Sequence, residues 1–226
     1  MAETATTGAG RSVGSSGADE GMDDDRPVAS ASVSVAGRAI AYAEYGDPAG
    51  RPVVLLHGTP GSRRFGGLFA SAAAKQGVRL LAVDRPGYGD SVAWPERSIS
   101  DIGEIVAAVL DDAGADTAGL VGFSGGGPHA LAVAATHPSR VTSVDVISGA
   151  TPPSVGPTPL PQRLLAGVAA ATPRLFGGLF GMQAWIADYG SPAVFLSQYT
   201  DREIETFDEA TVDHLTAEFV AAVGGS

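Results

Sequence analysis

The chain predicts an α/β domain: a mostly parallel sheet with helices on both faces, followed by a helical cap. Three observations carry this. A short continuous apolar run at residues 52–56, the mark of a strand buried on both faces, is followed by two more segments that read as buried strands, 78–83 and 119–121, and by a fourth strand at 141–147. Amphipathic segments with helical spacing lie between them, which implies right-handed crossovers between parallel strands. From Gly149 onward the character changes: residues 151–161 are proline-rich, and residues 164–223 read as several helices with no convincing buried strand.

Residues 1–27 are Gly, Ser, Ala and Thr with Asp19, Glu20 and the run Asp23-Asp24-Asp25. Such a stretch buries too little apolar surface to offset its ordering entropy, so a disordered acidic tail is expected. The core is assigned to residues 28–150. Residues 30–36 and 39–45 both alternate polar and apolar positions about Gly37-Arg38, an antiparallel hairpin at a sheet edge. Gly46-Asp47-Pro48 closes it, and the buried run 52–56 ends abruptly in His57-Gly58-Thr59-Pro60-Gly61. Phe65, Leu68, Phe69, Ala72 and Ala73 then form one helical stripe, stopped by Gly77.

The second buried strand, 78–83, ends in Asp84-Arg85-Pro86-Gly87-Tyr88-Gly89-Asp90-Ser91. Ser98 and Asp101 have capping-box spacing. Behind them Ile102, Ile105, Val106, Val109 and Leu110 fall at helical intervals up to Gly114. Residues 119–121 form the third buried strand. After it, Pro128 suits an early helical position, and residues 130–136 are helical until Pro138. Residues 141–147 are the fourth strand. The cap, 151–226, opens with a proline-rich stretch, and its helix ends are expected near Pro173, Gly190 and Thr200.

At 226 residues, 44% of them hydrophobic, the chain can hold one full-sized domain or a large piece of a bigger one. The net charge of −11 argues against nucleic acid and anionic membrane surfaces as partners. Lys75 is the only lysine; this acidic, lysine-poor composition fits a salt-loving or high-GC source as well as ordinary solubility charge. With no cysteine there is no disulfide, thiol nucleophile or thiolate metal site. The first stretch lacks the apolar segment of a secretory signal. The longest apolar region, 164–187, is interrupted by Pro173 and Arg174 and reads as buried or lid helices. A soluble, cytoplasmic protein is expected.

Gly122-Phe123-Ser124-Gly125-Gly126 is a G-x-S-x-G pattern between a buried strand and a helix. A serine at the tip of so tight a turn is held in a strained conformation with its hydroxyl clear of the sheet. Its flanking residues crowd each other, which suits glycine. The pentapeptide alone says little in a glycine-rich chain. Its two companion turns, also at strand C-terminal ends, raise its weight, because open α/β sheets gather their chemistry there.

Taken together and in this order, His57-Gly58-Thr59-Pro60-Gly61, Asp84-Arg85-Pro86-Gly87-Tyr88-Gly89 and Gly122-Phe123-Ser124-Gly125-Gly126 resemble the α/β-hydrolase family. The resemblance covers residues 30–150 well and the cap only by character. It implies that Ser124 is a nucleophile and that the backbone N–H groups of Gly125 and Thr59 form the oxyanion hole. Gly58, Pro60 and Gly61 would shape the loop that carries Thr59. Family members that open epoxides or displace halide use an aspartate at the elbow. Ser124 therefore points to an acyl-enzyme route on esters, amides or related acyl bonds of a small-molecule substrate. The loop at His57 is also similar to that of proline iminopeptidase-like members, which keeps a peptidase in view.

In the family the acid and then the histidine follow the serine along the chain, each after a further strand. The four histidines here do not supply that pattern. His57 belongs to the oxyanion loop. His129 lies on the helix leaving the elbow and points along it. His137 ends that helix, where a cation complements the dipole. His214, near Asp208 and Asp213, has the right order but sits in a helical pattern of the cap. Asp145 lies mid-strand, a poor place for an orienting acid. The reading is of a fold incomplete at its C-terminus, since two more strand–helix units would need about 50 to 70 residues. The fourth strand would then be an exposed edge.

No phosphate-binding loop, metal-ligand cluster or dinucleotide fingerprint is present in the sequence, and no cofactor is expected. The alternative to a serine hydrolase is a non-catalytic small-ligand binding protein of the same fold.

Overall fold

The computed structural model describes residues 26–149, the two-residue strand β1 (Ser12–Val13) and isolated positions between 160 and 217. The expected tail otherwise lies outside the described residues, as does nearly all of the expected cap.

Strands β2 (Ala29–Val35) and β3 (Arg38–Gly46) form the expected hairpin. Ala36 and Gly37 both take positive φ, 48° and 73°, as a two-residue turn between twisted strands requires. Strands β4 (Arg51–Leu56), β5 (Val78–Val83), β6 (Ala118–Phe123) and β7 (Val141–Ile147) follow. Among the described residues seven strands form one sheet, in the order β1-β2-β3-β5-β4-β6-β7. β5, β4, β6 and β7 are mutually parallel, while β3 joins β5 antiparallel.

The two-faced burial of the apolar runs follows their pleat. In β4, Val54 and Leu56 enter one core with Leu81 and Val83 of β5. Leu55 enters the opposite core with Leu80 and Ala82. Helix α1 (Ala70–Lys75) covers the second face. Helices α2 (Ile102–Asp112) and α3 (Gly127–Thr136) cover the first through Ile105, Val109, Leu110, Ala130 and Val133. A buried ion pair ties the sheet to α2. Arg79 of β5 meets Glu44 of β3 at 2.7 Å and donates to the Ala113 carbonyl beyond α2 at 2.8 Å.

The single helix expected before Gly77 is instead a 3-10 segment, Arg63–Phe69, running into α1. Its start is pinned tightly to the sheet: a Cβ on Gly66 would lie 2.7 Å from the Tyr45 ring. The capping box of Ser98 and Asp101 is present, on a 3-10 turn, Ile99–Asp101, that opens α2. Among the described residues β7 pairs only with β6 and is the outer strand of the described sheet. Val146 and Ile147 on it, and Leu131 on α3, stay exposed. No helix among the described residues is long and apolar enough to cross a membrane.

Candidate active site

Strand order assembles the site. Leu56, the last residue of β4, pairs with Gly122 of β6 on one side and with Val83 of β5 on the other. The three glycine-rich turns therefore leave the sheet side by side. The turn after β4 lies in the middle, flanked by Asp84-Arg85 and by Ser124-Gly125.

At the elbow Ser124 takes φ 48°, a left-handed conformation that costs an L-residue about 1–2 kcal/mol. Close packing holds it there. A Cβ on Gly122 would sit 2.7 Å from the Gly126 carbonyl oxygen, and one on Gly126 would sit 2.0 Å from that of Leu56. Real Cβ atoms do not approach so closely, so both flanking glycines are sterically required. The turn Ser124–Gly126 is 3-10 and feeds directly into α3.

The loop after β4 lies against this elbow. A Cβ built on Gly58 would be 3.4 Å from the Ser124 Cβ, and one on Gly125 would be 3.4 Å from the Thr59 backbone nitrogen. Thr59, Ser124 and Gly125 are thus brought together. The Thr59–Pro60 peptide is cis.

Behind the loop stands a buried polar layer. The Arg85 backbone N–H donates to His57 Nε2 at 3.1 Å. A backbone N–H can only donate, so Nε2 is the acceptor and Nδ1 carries the proton. That Nδ1–H donates to the Gly58 carbonyl at 2.7 Å. Burial, and then the positive charge of Arg85, hold His57 well below the usual imidazole range. The Arg85 guanidinium, itself buried, donates from Nη2 to the Gly58 carbonyl at 2.5 Å and to Thr59 Oγ1 at 2.7 Å. It lies 4.9 Å from the centre of the Tyr88 ring.

Asp84 anchors the neighbouring turn. Its buried carboxylate accepts from the Arg63 backbone N–H at 2.5 Å and from the Asp90 N–H at 3.0 Å, and it pairs with the Arg63 side chain. Arg63 also pairs with Asp90. Gly89, at φ 52°, passes so close that a Cβ would lie 2.2 Å from Asp84 Oδ2. Burial pushes the Asp84 carboxyl up, with Arg63 opposing.

The other histidines face elsewhere. His129 Nδ1 lies 3.0 Å from the Gly125 carbonyl, one turn back on its helix, and burial followed by Arg85 pushes its pKa down to about 4. His137 closes α3, with Nε2 3.6 Å from Glu104. His214 is at a helical position, and its Nε2 lies 2.7 Å from the Arg64 carbonyl. Asp145 is mid-strand in β7, as expected, and exposed. None of these partners is the Ser124 hydroxyl. Among the described residues no cluster of His, Asp and Glu could hold a metal ion.

The sequence assigns no role to Arg85 and places His57 only within the loop expected to hold the oxyanion. The spacing of the two turns carried no sign that β4 and β5 are neighbours. Only that adjacency lets Arg85 reach the loop after β4.

Comparison with known proteins agrees with this architecture. The sequence profile of the alpha/beta hydrolase fold matches residues 51–181. The chain is 35% identical over 139 residues to the dihydrolipoyllysine-residue acetyltransferase component of an acetoin cleaving system from Pseudomonas putida, covering 59% of this chain and 36% of that protein. It is 38% identical over 105 residues to a 2-hydroxy-6-oxononadienedioate/2-hydroxy-6-oxononatrienedioate hydrolase from Paraburkholderia phymatum, covering 44% of this chain and 36% of that protein. Among solved structures, an epoxide hydrolase from Vigna radiata shares the fold with a TM-score of 0.60 at 24% identity, covering 86% of this chain and 68% of that one. The matches span about a third of the length of these two curated relatives. By its sheet, its three aligned turns and this match, the chain belongs to the α/β hydrolase fold family.

Proposed function

We propose that this chain is a serine hydrolase acting on an ester, amide or related acyl bond of a small molecule. The observation that carries the reading is Ser124 at positive φ at the end of β6, with Thr59 and Gly125 beside it. Ser124 Oγ attacks the acyl carbon. The carbonyl oxygen becomes an oxyanion held by the Thr59 and Gly125 N–H groups, and the alcohol or amine leaves with a proton. Water then adds to the acyl-enzyme and releases the acid. The relative from Paraburkholderia phymatum, named as a hydrolase, supports the class. A serine rather than an aspartate at the elbow favours acyl chemistry over epoxide opening. The cap would shape the substrate pocket, and no cofactor is required.

The step needs a general base, and each of the four histidines has a partner other than Ser124. That observation supports a second reading, a non-catalytic small-ligand binding protein. It also predicts little turnover from these 226 residues by themselves. A fluorophosphonate probe separates the two. Labelling of wild-type protein and not of S124A supports the nucleophile. Failure to label, with saturable binding of a small apolar ligand, supports the binding protein. Esterase turnover abolished by H214A would instead make His214 the base.

A further inference from the structure

We propose that Arg85 and His57 act as positioning residues that aim and polarise the Thr59 N–H, the donor the hydrolase reading places in the oxyanion hole. The argument begins with one peptide unit. The carbonyl of Gly58 and the N–H of Thr59 belong to the same peptide, and this bond is trans, since the only cis bond among the described residues is Thr59–Pro60. In a planar trans peptide the C=O and N–H point in opposite directions. Whatever holds the carbonyl therefore sets the direction of the N–H.

The Gly58 carbonyl is held by two donors, His57 Nδ1–H at 2.7 Å and Arg85 Nη2 at 2.5 Å. Both lone pairs of that oxygen are used. The same Nη2 also reaches Thr59 Oγ1, so the guanidinium grips the residues on both sides of the peptide bond. His57 is oriented in turn by the Arg85 backbone N–H, which makes Arg85 the origin of both contacts. The opposite side of the peptide faces the elbow, where the Thr59 nitrogen approaches Gly125.

The clamp carries charge as well as geometry. Arg85 is buried, its Nε has no hydrogen-bond partner among the described residues, and no ion pair joins it to a carboxylate among them. Buried, and with no carboxylate paired to it among the described residues, a cation bonded to a carbonyl draws electron density along the peptide and strengthens its N–H as a donor. A guanidinium also keeps its charge where an amine would lose it. This accounts for an arginine buried at a cost in desolvation. Its Nη2 is spent on the carbonyl behind the proposed donor, the position where a fixed positive charge favours a developing oxyanion.

The test is nuclear magnetic resonance of the full 226-residue chain, following the Thr59 amide. In R85M the Thr59 amide proton is expected to move upfield while the amides of β4 and β5 keep their positions. R85K, which keeps a hydrogen-bond donor but loses the fork and the charge that only a guanidinium holds when buried, is expected to fall between. A folded R85M whose Thr59 amide does not move would overturn the proposal. Should R85M fail to fold, the wild-type protein decides. Slowly exchanging Arg85 Nη protons with a hydrogen-bond coupling to the Gly58 carbonyl carbon support the clamp, and a single averaged guanidinium signal overturns it. Fluorophosphonate labelling of Ser124 is expected to slow about tenfold or more in R85M. The proposal rests on the hydrolase reading for its purpose, and the two fail separately. Wild-type protein that never labels would sink the hydrolase reading, whereas the Thr59 resonance still judges the clamp.

Discussion

Gly126 and Leu56 meet at the junction of the two central strands, so closely that a Cβ on Gly126 would lie 2.0 Å from the Leu56 carbonyl oxygen. Backbone presses on backbone there, and no rotamer change can relieve an added methyl. G126A is expected to lose about 1–3 kcal/mol or more of stability. Gly37, which unlike Gly126 is at positive φ and has open space around it, provides the control. G37A should cost only the left-handed conformation, about 1 kcal/mol. Urea denaturation of the pair measures the difference.

The strain at Ser124 predicts an inverted glycine effect. Glycine relieves the positive φ, and part of that gain is offset by its larger entropy in the unfolded chain. S124G is therefore expected to be more stable than S124A by roughly 0.5–1 kcal/mol. Equal denaturation midpoints for the two would mean that the elbow is unstrained in solution.

Asp84 joins the turn after β5 to the segment that follows the loop after β4, through Arg63 and Asp90. D84N keeps the shape and removes the charge, leaving the half-buried Arg63 side chain with only the exposed Asp90 carboxylate. The expected loss is about 2–3 kcal/mol. Chemical denaturation should register it, and a D84N midpoint equal to wild type would show that the pair is not needed.

Two histidines set an acid limit. His129 has its pKa lowered from 6.5 to about 4, and His57 is lowered well below 6.5. Between those values the unfolded chain binds protons that the folded protein refuses. Stability is thus full above pH 6.5 and declines as the pH falls toward 4. Denaturation midpoints across that range should fall with acidification, and H129Q should flatten the slope without abolishing it, because His57 remains. An unchanged slope in H129Q would show that His129 titrates normally.

Much of the framework was legible because it is written in short-range pattern. The runs at 78–83 and 141–147 became β5 and β7 with the same bounds, and the periodic residues from Ile102 to Leu110 became the buried face of α2. Ser124 was legible because a strained turn needs glycine on both sides of it. The 3-10 segment at 63–69 was not legible. Its apolar spacing mimics a helix, but the close approach of Gly66 to Tyr45 is a tertiary contact. The role of His57 was hidden for the same reason. Its tautomer depends on an N–H that lies 28 residues downstream.

The sequence by itself determined the kind of protein: buried strands alternating with amphipathic helices, and a serine in a turn that strains it. Those properties depend on side-chain period and on sterics within a few residues. What only the tertiary structure decided is the order β5-β4-β6. Pairing of strands far apart in the chain is set by how two apolar cores close on the sheet, and no local pattern encodes it. That order places Arg85, Gly58, Thr59, Ser124 and Gly125 in one row, and it turns three separate glycine-rich motifs into a single site.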